Sequence, residues 1–218
     1  MRTIFPNEIF KDIRKKDGYI ALVFALGYIV FTCIYINVFN KYFTNVDIEL
    51  RRLLTGICFY MFSLIVIFII LKIRKQNLTT IGFRRSGLAL SIGLGIALST
   101  IVVIIHLLNG RSVDIILYNY IFYVFIIGFG EEIVFRGFLW PRLVVTFGKA
   151  NGTILTGVLF GVVHAPVKII MNGSPLAQAV FNEIGGGIIG SLFFIFIYTR
   201  NNNIVLPSIL HGLLDFFA

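Results

Sequence analysis

The sequence predicts an all-α fold, a polytopic bundle of about seven transmembrane helices (six to eight), and three observations predict it. Apolar residues make up 58% of the chain and charged residues only 13%, which excludes a water-soluble domain. Mean hydropathy is +0.93. The apolar residues fall into seven continuous stretches, of which the first six are each about long enough for the roughly 20-residue helix that crosses a bilayer. Lipid offers no water to backbone groups, so spans are helices or a closed barrel, and continuous runs select helices over the alternation of a barrel strand.

In chain order the predicted spans are Tyr19–Phe39, Leu54–Leu71, Leu88–Leu108, Ile115–Leu139, Ile154–Met171, Ala177–Tyr198 and Ile204–Ala218. The first follows a basic leader, but its apolar run is too long for a secretory signal and no small-residue cleavage site follows, so it reads as a retained anchor. The second and third are joined by the basic KIRKQNLTTIGFRRSG. The seventh rises only about 22 Å and is expected to stop before the far interface. No soluble domain or low-complexity linker interrupts the chain. One membrane domain is therefore expected over residues 1–218, with N-terminal spans in 1–110 and motif-bearing spans in 111–218.

Basic residues set the expected orientation. With the N-terminus inside, fourteen of the nineteen Lys and Arg residues fall on the cytoplasmic side, and Lys41, Arg51, Arg52, Arg111 and Lys168 fall outside. This is the positive-inside bias. The net charge of +9 is then accounted for by loops facing anionic headgroups, and no nucleic-acid partner is called for. Cys33 and Cys58 lie inside spans without metal-like spacing and are expected to be packing residues.

Ionisable side chains at membrane depth cost several kcal/mol and mark function by default. Three groups qualify. In GFGEEIVFRGFLW, Glu132 and Arg136 are four apart and can pair on one helix face. Glu131 is turned about 100° away on the 3.6-residue period, free to enter a cavity and take a proton from water. In FGVVHAP, Phe160 and His164 share a face, and Pro166 loosens the helix just beyond. In PSILHGLLD, His211 and Asp215 are again four apart, with the preceding Pro207 in the first turn, where it is tolerated. Each group has a plain structural reading: the glutamates pair with basic residues at a cytoplasmic helix end, His164 hydrogen-bonds to a neighbouring helix, and Asp215 and His211 satisfy each other in the bundle. Their depths agree, however: Glu131 lies about 12 Å before the inner end of its span, His164 about 15 Å into the next, and His211 about 10 Å into the last. His106, without a motif around it, is expected to be structural.

These residues resemble the pattern of the CAAX prenyl protease and bacteriocin-processing (CPBP, or Abi) intramembrane proteases: E-E-x-x-x-R, then F-x-x-x-H, then H-x-x-x-N/D. Here they are Glu131, Glu132 and Arg136, then Phe160 and His164, then His211 and Asp215, in that order, and the resemblance covers roughly 124–218. It implies an intramembrane endopeptidase. Glu131, oriented with His164, would deprotonate a water; His211, helped by Asp215, would stabilise or protonate the tetrahedral intermediate; Glu132, Arg136 and Phe160 would hold the others in place. Asp215 departs from the asparagine commoner in the prenyl-protein branch, and an acid is a poorer hydrogen-bond donor unless protonated. No serine or cysteine has a matching partner, so a covalent nucleophile is not expected.

The expectation is a glutamate mechanism with no cofactor and no metal, with zinc held by the Glu, His and Asp groups as the alternative. The substrate class is a peptide or protein, prenylated or not, and the other partner is the bilayer. A non-catalytic immunity or scaffold protein is the competing function; a transporter would use the same residues as a proton relay, but no inverted repeat is evident. The compact chain and the immunity-like resemblance suggest a bacterial plasma membrane. Gly185, Gly186, Gly187 and Gly190 are expected to let the sixth span approach a neighbour closely, while Asn182 and Glu183 either line the cavity or face the outer headgroups.

Overall fold

The computed structural model describes residues 6–42 and 46–217, without the side chains of Asn40 and Met171; Arg2, one of the cations of the basic leader, and Ala218, the end of the expected last span, lie outside the described residues. Among the described residues seven helices follow in order: α1 Lys15–Tyr42, α2 Ile48–Arg74, α3 Leu88–Leu108, α4 Val113–Phe147, α5 Lys149–Asn172, α6 Leu176–Asn201 and α7 Val205–Phe217. Short 3₁₀ turns cover Asn7–Ile9 and Leu78–Ile81, and no strand occurs among the described residues. Six of the helices are long and apolar enough to cross a membrane, and α7 is the short one. The chain is a multi-pass membrane protein. Large apolar side chains such as Val23, Ile34, Ile65, Ile96, Phe181 and Ile189 stand exposed on the outside of the bundle, as a lipid solvent requires.

Local chemistry explains several boundaries. Helix α2 starts six residues before the apolar run because the Asp47 side chain caps it, accepting from the N–H groups of Glu49 and Leu50 at 3.0 and 3.1 Å. Helix α4 runs to Phe147, eight residues beyond the expected Leu139. Pro141 does not end it, because the preceding turns, Ile133–Leu139, are π-helical and already wider than the α-helix in which the proline ring would clash. Pro166 likewise sits inside a helix that continues to Asn172.

One end of the bundle is closed by polar contacts. Arg74 pairs with buried Asp17 at 2.7 Å, Arg142 donates to the Gln76 side chain at 2.6 Å and to the Phe138 carbonyl at 2.9 Å, and Arg84 donates to the Tyr198 hydroxyl at 2.9 Å. Arg84 and Arg142, assigned above to headgroup-facing loops, are in fact buried. Counting loop charges treats every cation as solvated, whereas these two satisfy carbonyls and hydroxyls where the helix ends meet. Cys58 also departs from expectation, being exposed instead of packed.

Helices α5 and α6 pack along their lengths through a seam of small residues. A Cβ on Gly161 would lie 2.2 Å from the Glu183 carbonyl oxygen, and one on Gly187 would lie 2.6 Å from the Gly161 nitrogen. The small-x-x-x-small pair at the contact is Gly157 and Gly161 on α5, with Gly187 opposite; Gly185, Gly186 and Gly190, expected at the contact, face open space. The register of α6 turns only one of its four glycines toward α5.

Candidate active site

Two π-helical segments of α4, Ile121–Gly128 and Ile133–Leu139, flank a single α-turn, Phe129–Glu132. The extra residue per turn re-aims the side chains on either side. Glu131 and Glu132 sit in that turn, both buried. Helix α7 comes close enough to reach them because both backbones are bare where they cross. A Cβ on Gly128 would lie 2.3 Å from the Ser208 carbonyl oxygen, and one on Gly212 would lie 2.4 Å from that of Tyr123.

Side chains from α4, α5 and α7 meet in this space. His164 Nε2 is 3.5 Å from Glu131 Oε1, and His211 Nε2 is 3.7 Å from Glu131 Oε2. Each imidazole is held by its other nitrogen. His164 Nδ1 is 2.7 Å from the Phe160 carbonyl oxygen, and His211 Nδ1 is 2.8 Å from Glu132 Oε1. Both partners are acceptors, so Nδ1 carries the hydrogen in each ring and Nε2 is turned toward Glu131. The tautomers follow from this network of acceptors.

Around this centre Glu132 Oε1 lies 2.9 Å from Arg136, with both side chains fully buried. The guanidinium is 4.4 Å from the Phe160 ring centroid and 5.1 Å from that of Phe194, so two aromatic faces share in neutralising it. Asp215 is the most exposed member, its Oδ2 3.7 Å from His211 Nε2. His106 stands apart, buried with its ring 4.3 Å from that of Phe216. Asn182 is exposed and Glu183 is half-buried.

Two participants escape sequence reasoning. The Tyr60 hydroxyl of α2 donates to Glu131 Oε1 at 2.8 Å, and Phe194 of α6 stacks on His211 at 4.7 Å. The available signal for Tyr60 is the buried stripe Gly56, Tyr60, Ser63, Ile67, Leu71 along α2, which carries two hydroxyls on an otherwise apolar face. Phe194 has no signal, being one of 23 phenylalanines. Among the described residues, no group of three or more His, Cys, Asp or Glu side chains is arranged to hold a metal ion.

No curated protein and no solved structure matches the chain significantly. The family model for type II CAAX prenyl endopeptidase Rce1-like proteins matches residues 112–217, the stretch that holds Glu131, His164 and His211. Over that stretch, just under half of its length, the chain is similar to the Rce1-like type II CAAX prenyl endopeptidases.

Proposed function

We propose that this membrane protease hydrolyses a peptide bond with a water activated by Glu131 and His164, without a metal. The observation that carries the reading is the meeting of Glu131 with two imidazole Nε2 atoms, at 3.5 and 3.7 Å, in a buried site. Glu131 Oε2 is buried and accepts no hydrogen bond from the described residues, so it is available to a water proton. In the proposed step the water oxygen adds to the scissile carbonyl carbon as its proton passes to Glu131. Charge then develops on the carbonyl oxygen, and His211, protonated at Nε2, donates to it while Asp215 holds the imidazolium. Collapse of the intermediate breaks the C–N bond, and the leaving nitrogen takes the proton from Glu131. Glu132, itself paired with Arg136, accepts from His211 Nδ1 and so keeps the imidazolium oriented.

The proposed orientation puts the N-terminus and the polar-closed end in the cytoplasm of a bacterial cell, because that end gathers most of the cations. Substrates are membrane-associated peptides or proteins, with prenylated tails and bacteriocin-like peptides as the two classes to compare. Zinc is the second reading, since a histidine ligand also gives its Nδ1–H to a carbonyl or carboxylate. A fluorogenic peptide panel with protein purified in detergent tests the proposal. Activity that survives chelator and vanishes in Glu131→Gln supports it. Loss with chelator and recovery with zinc overturns the metal-free mechanism, and a Glu131→Gln variant with full biological effect supports a scaffold or immunity role instead.

A further inference from the structure

A cavity of about 300 Å³ lies between α1, α2, α4 and α5 and is lined at one point by Tyr60, whose hydroxyl bonds Glu131. Its volume is at the lower end for ligand pockets, of order 300–1,000 Å³. Along α2 its wall runs from Arg51 and Arg52 down to Phe59 and Tyr60, about 13 Å at 1.5 Å per residue. Tyr35 and Ile36 of α1 face it from the other side. The cavity is therefore a slot parallel to the helices, with cations at its interfacial end and an apolar interior.

The two cations are poised there. Arg52 donates to the Tyr123 hydroxyl at 2.8 Å and lies 4.9 Å from the Phe122 ring centroid, which fixes its guanidinium at the mouth. Among the described residues no carboxylate lies within ion-pair distance of either arginine. Mostly apolar walls with two guanidiniums outside ion-pair distance of the nearby Asp47 and Glu49 at one end suit a single alkyl chain ending in an anion. Membrane lipids lie in this same direction, with headgroup at the interface and chain along the normal.

We infer that this slot between α1 and α2 is a binding site for a single-chain anionic lipid, with Arg51 and Arg52 on the headgroup and the chain ending against Tyr60. The inference does not depend on the proteolytic mechanism, and its test reads binding alone. The full chain is placed in nanodiscs of zwitterionic phosphatidylcholine, and the probe is dodecyl phosphate carrying a diazirine at the chain terminus, mapped after photolysis by peptide mass spectrometry. Expected is labelling concentrated on Thr32, Phe59 and Tyr60, at the inner end of the slot. Dodecyl phosphate should compete, dodecanol only at about tenfold higher concentration, and inorganic phosphate not at all. The double variant Arg51→Gln, Arg52→Gln should reduce labelling about tenfold, and Ile36→Trp should remove it. Labelling spread evenly over the lipid-facing sides of α1, α2 and α3 overturns the inference. Equal competition by dodecanol overturns the headgroup role, and competition by inorganic phosphate alone overturns the lipid. These competition arms use the unmodified protein, so a variant that fails to fold leaves the test intact.

Discussion

His211 gives its Nδ1–H to the same Glu132 oxygen that pairs with Arg136, at 2.8 and 2.9 Å respectively. One carboxylate oxygen thus ties the orientation of an imidazole on α7 to a buried ion pair internal to α4. Arg136 reaches the centre through Glu132 and through the Phe160 and Phe194 rings, which pack on His164 and His211.

Removing one member of that pair leaves a buried charge alone. Arg136→Met is expected to destabilise by about 3–5 kcal/mol, the usual cost of breaking a buried pair from one side. Glu132→Gln together with Arg136→Met should recover most of that loss, since the neutral amide oxygen still accepts from His211 and no lone charge remains. Thermal unfolding of the single and double variants in one detergent measures this. A double variant no more stable than Arg136→Met would show that the ion pair is not the source of the effect.

Glu131→Gln preserves shape and still accepts the Tyr60 hydrogen bond. Activity is expected to fall by about 10²–10⁴-fold, the range for loss of a general base, with the melting temperature little changed. Comparable turnover in the variant at matched protein concentration would remove Glu131 from the proposed chemistry.

Much of this arrangement is legible in the sequence because the bilayer makes charge conspicuous. Glu131, Glu132, Arg136 and His211 stand out from apolar runs, and their i, i+4 spacings already imply shared faces. Tyr60 does not stand out, since tyrosine carries no charge and is common in spans, so its bond to Glu131 emerges only when α2 docks on α4. The π-helical turns that flank the glutamates carry no local sequence pattern that marks them; the first packs against α7 and α2, the second against α1 and α2. Arg84 and Arg142 mislead for the opposite reason. They sit next to loops and look solvated, but Tyr198, Gln76 and the Phe138 carbonyl take them inward.

Tyr60 offers a readout separate from folding. Tyr60→Phe removes the hydroxyl that donates to Glu131 Oε1 and keeps the ring that packs over Gly130. A hydrogen bond to a charged group contributes about 1.5–3 kcal/mol, so kcat is expected to fall roughly 10- to 100-fold with KM nearly constant. A rise in KM with kcat unchanged would instead place Tyr60 in substrate binding.

The glycines give a prediction in which neighbouring positions behave oppositely. Gly212 packs its bare α-carbon against α4, and an added methyl would stand 2.4 Å from the Tyr123 carbonyl oxygen. That oxygen is backbone and cannot swing aside, so Gly212→Ala must push α7 outward and carry His211 away from Glu131. Overpacking of this kind costs about 1–3 kcal/mol, and activity should fall further than stability because the 3.7 Å separation across the centre widens. Gly185 and Gly186 have nothing within 4 Å of an added Cβ. Gly185→Ala and Gly186→Ala should therefore leave activity unchanged and, by removing unfolded-state freedom within a helix, stabilise by about 0.5–1 kcal/mol. Melting temperature and turnover measured side by side for the three variants decide the matter: if Gly212→Ala retains full activity, the close crossing of α4 and α7 is not what holds His211 against the glutamates.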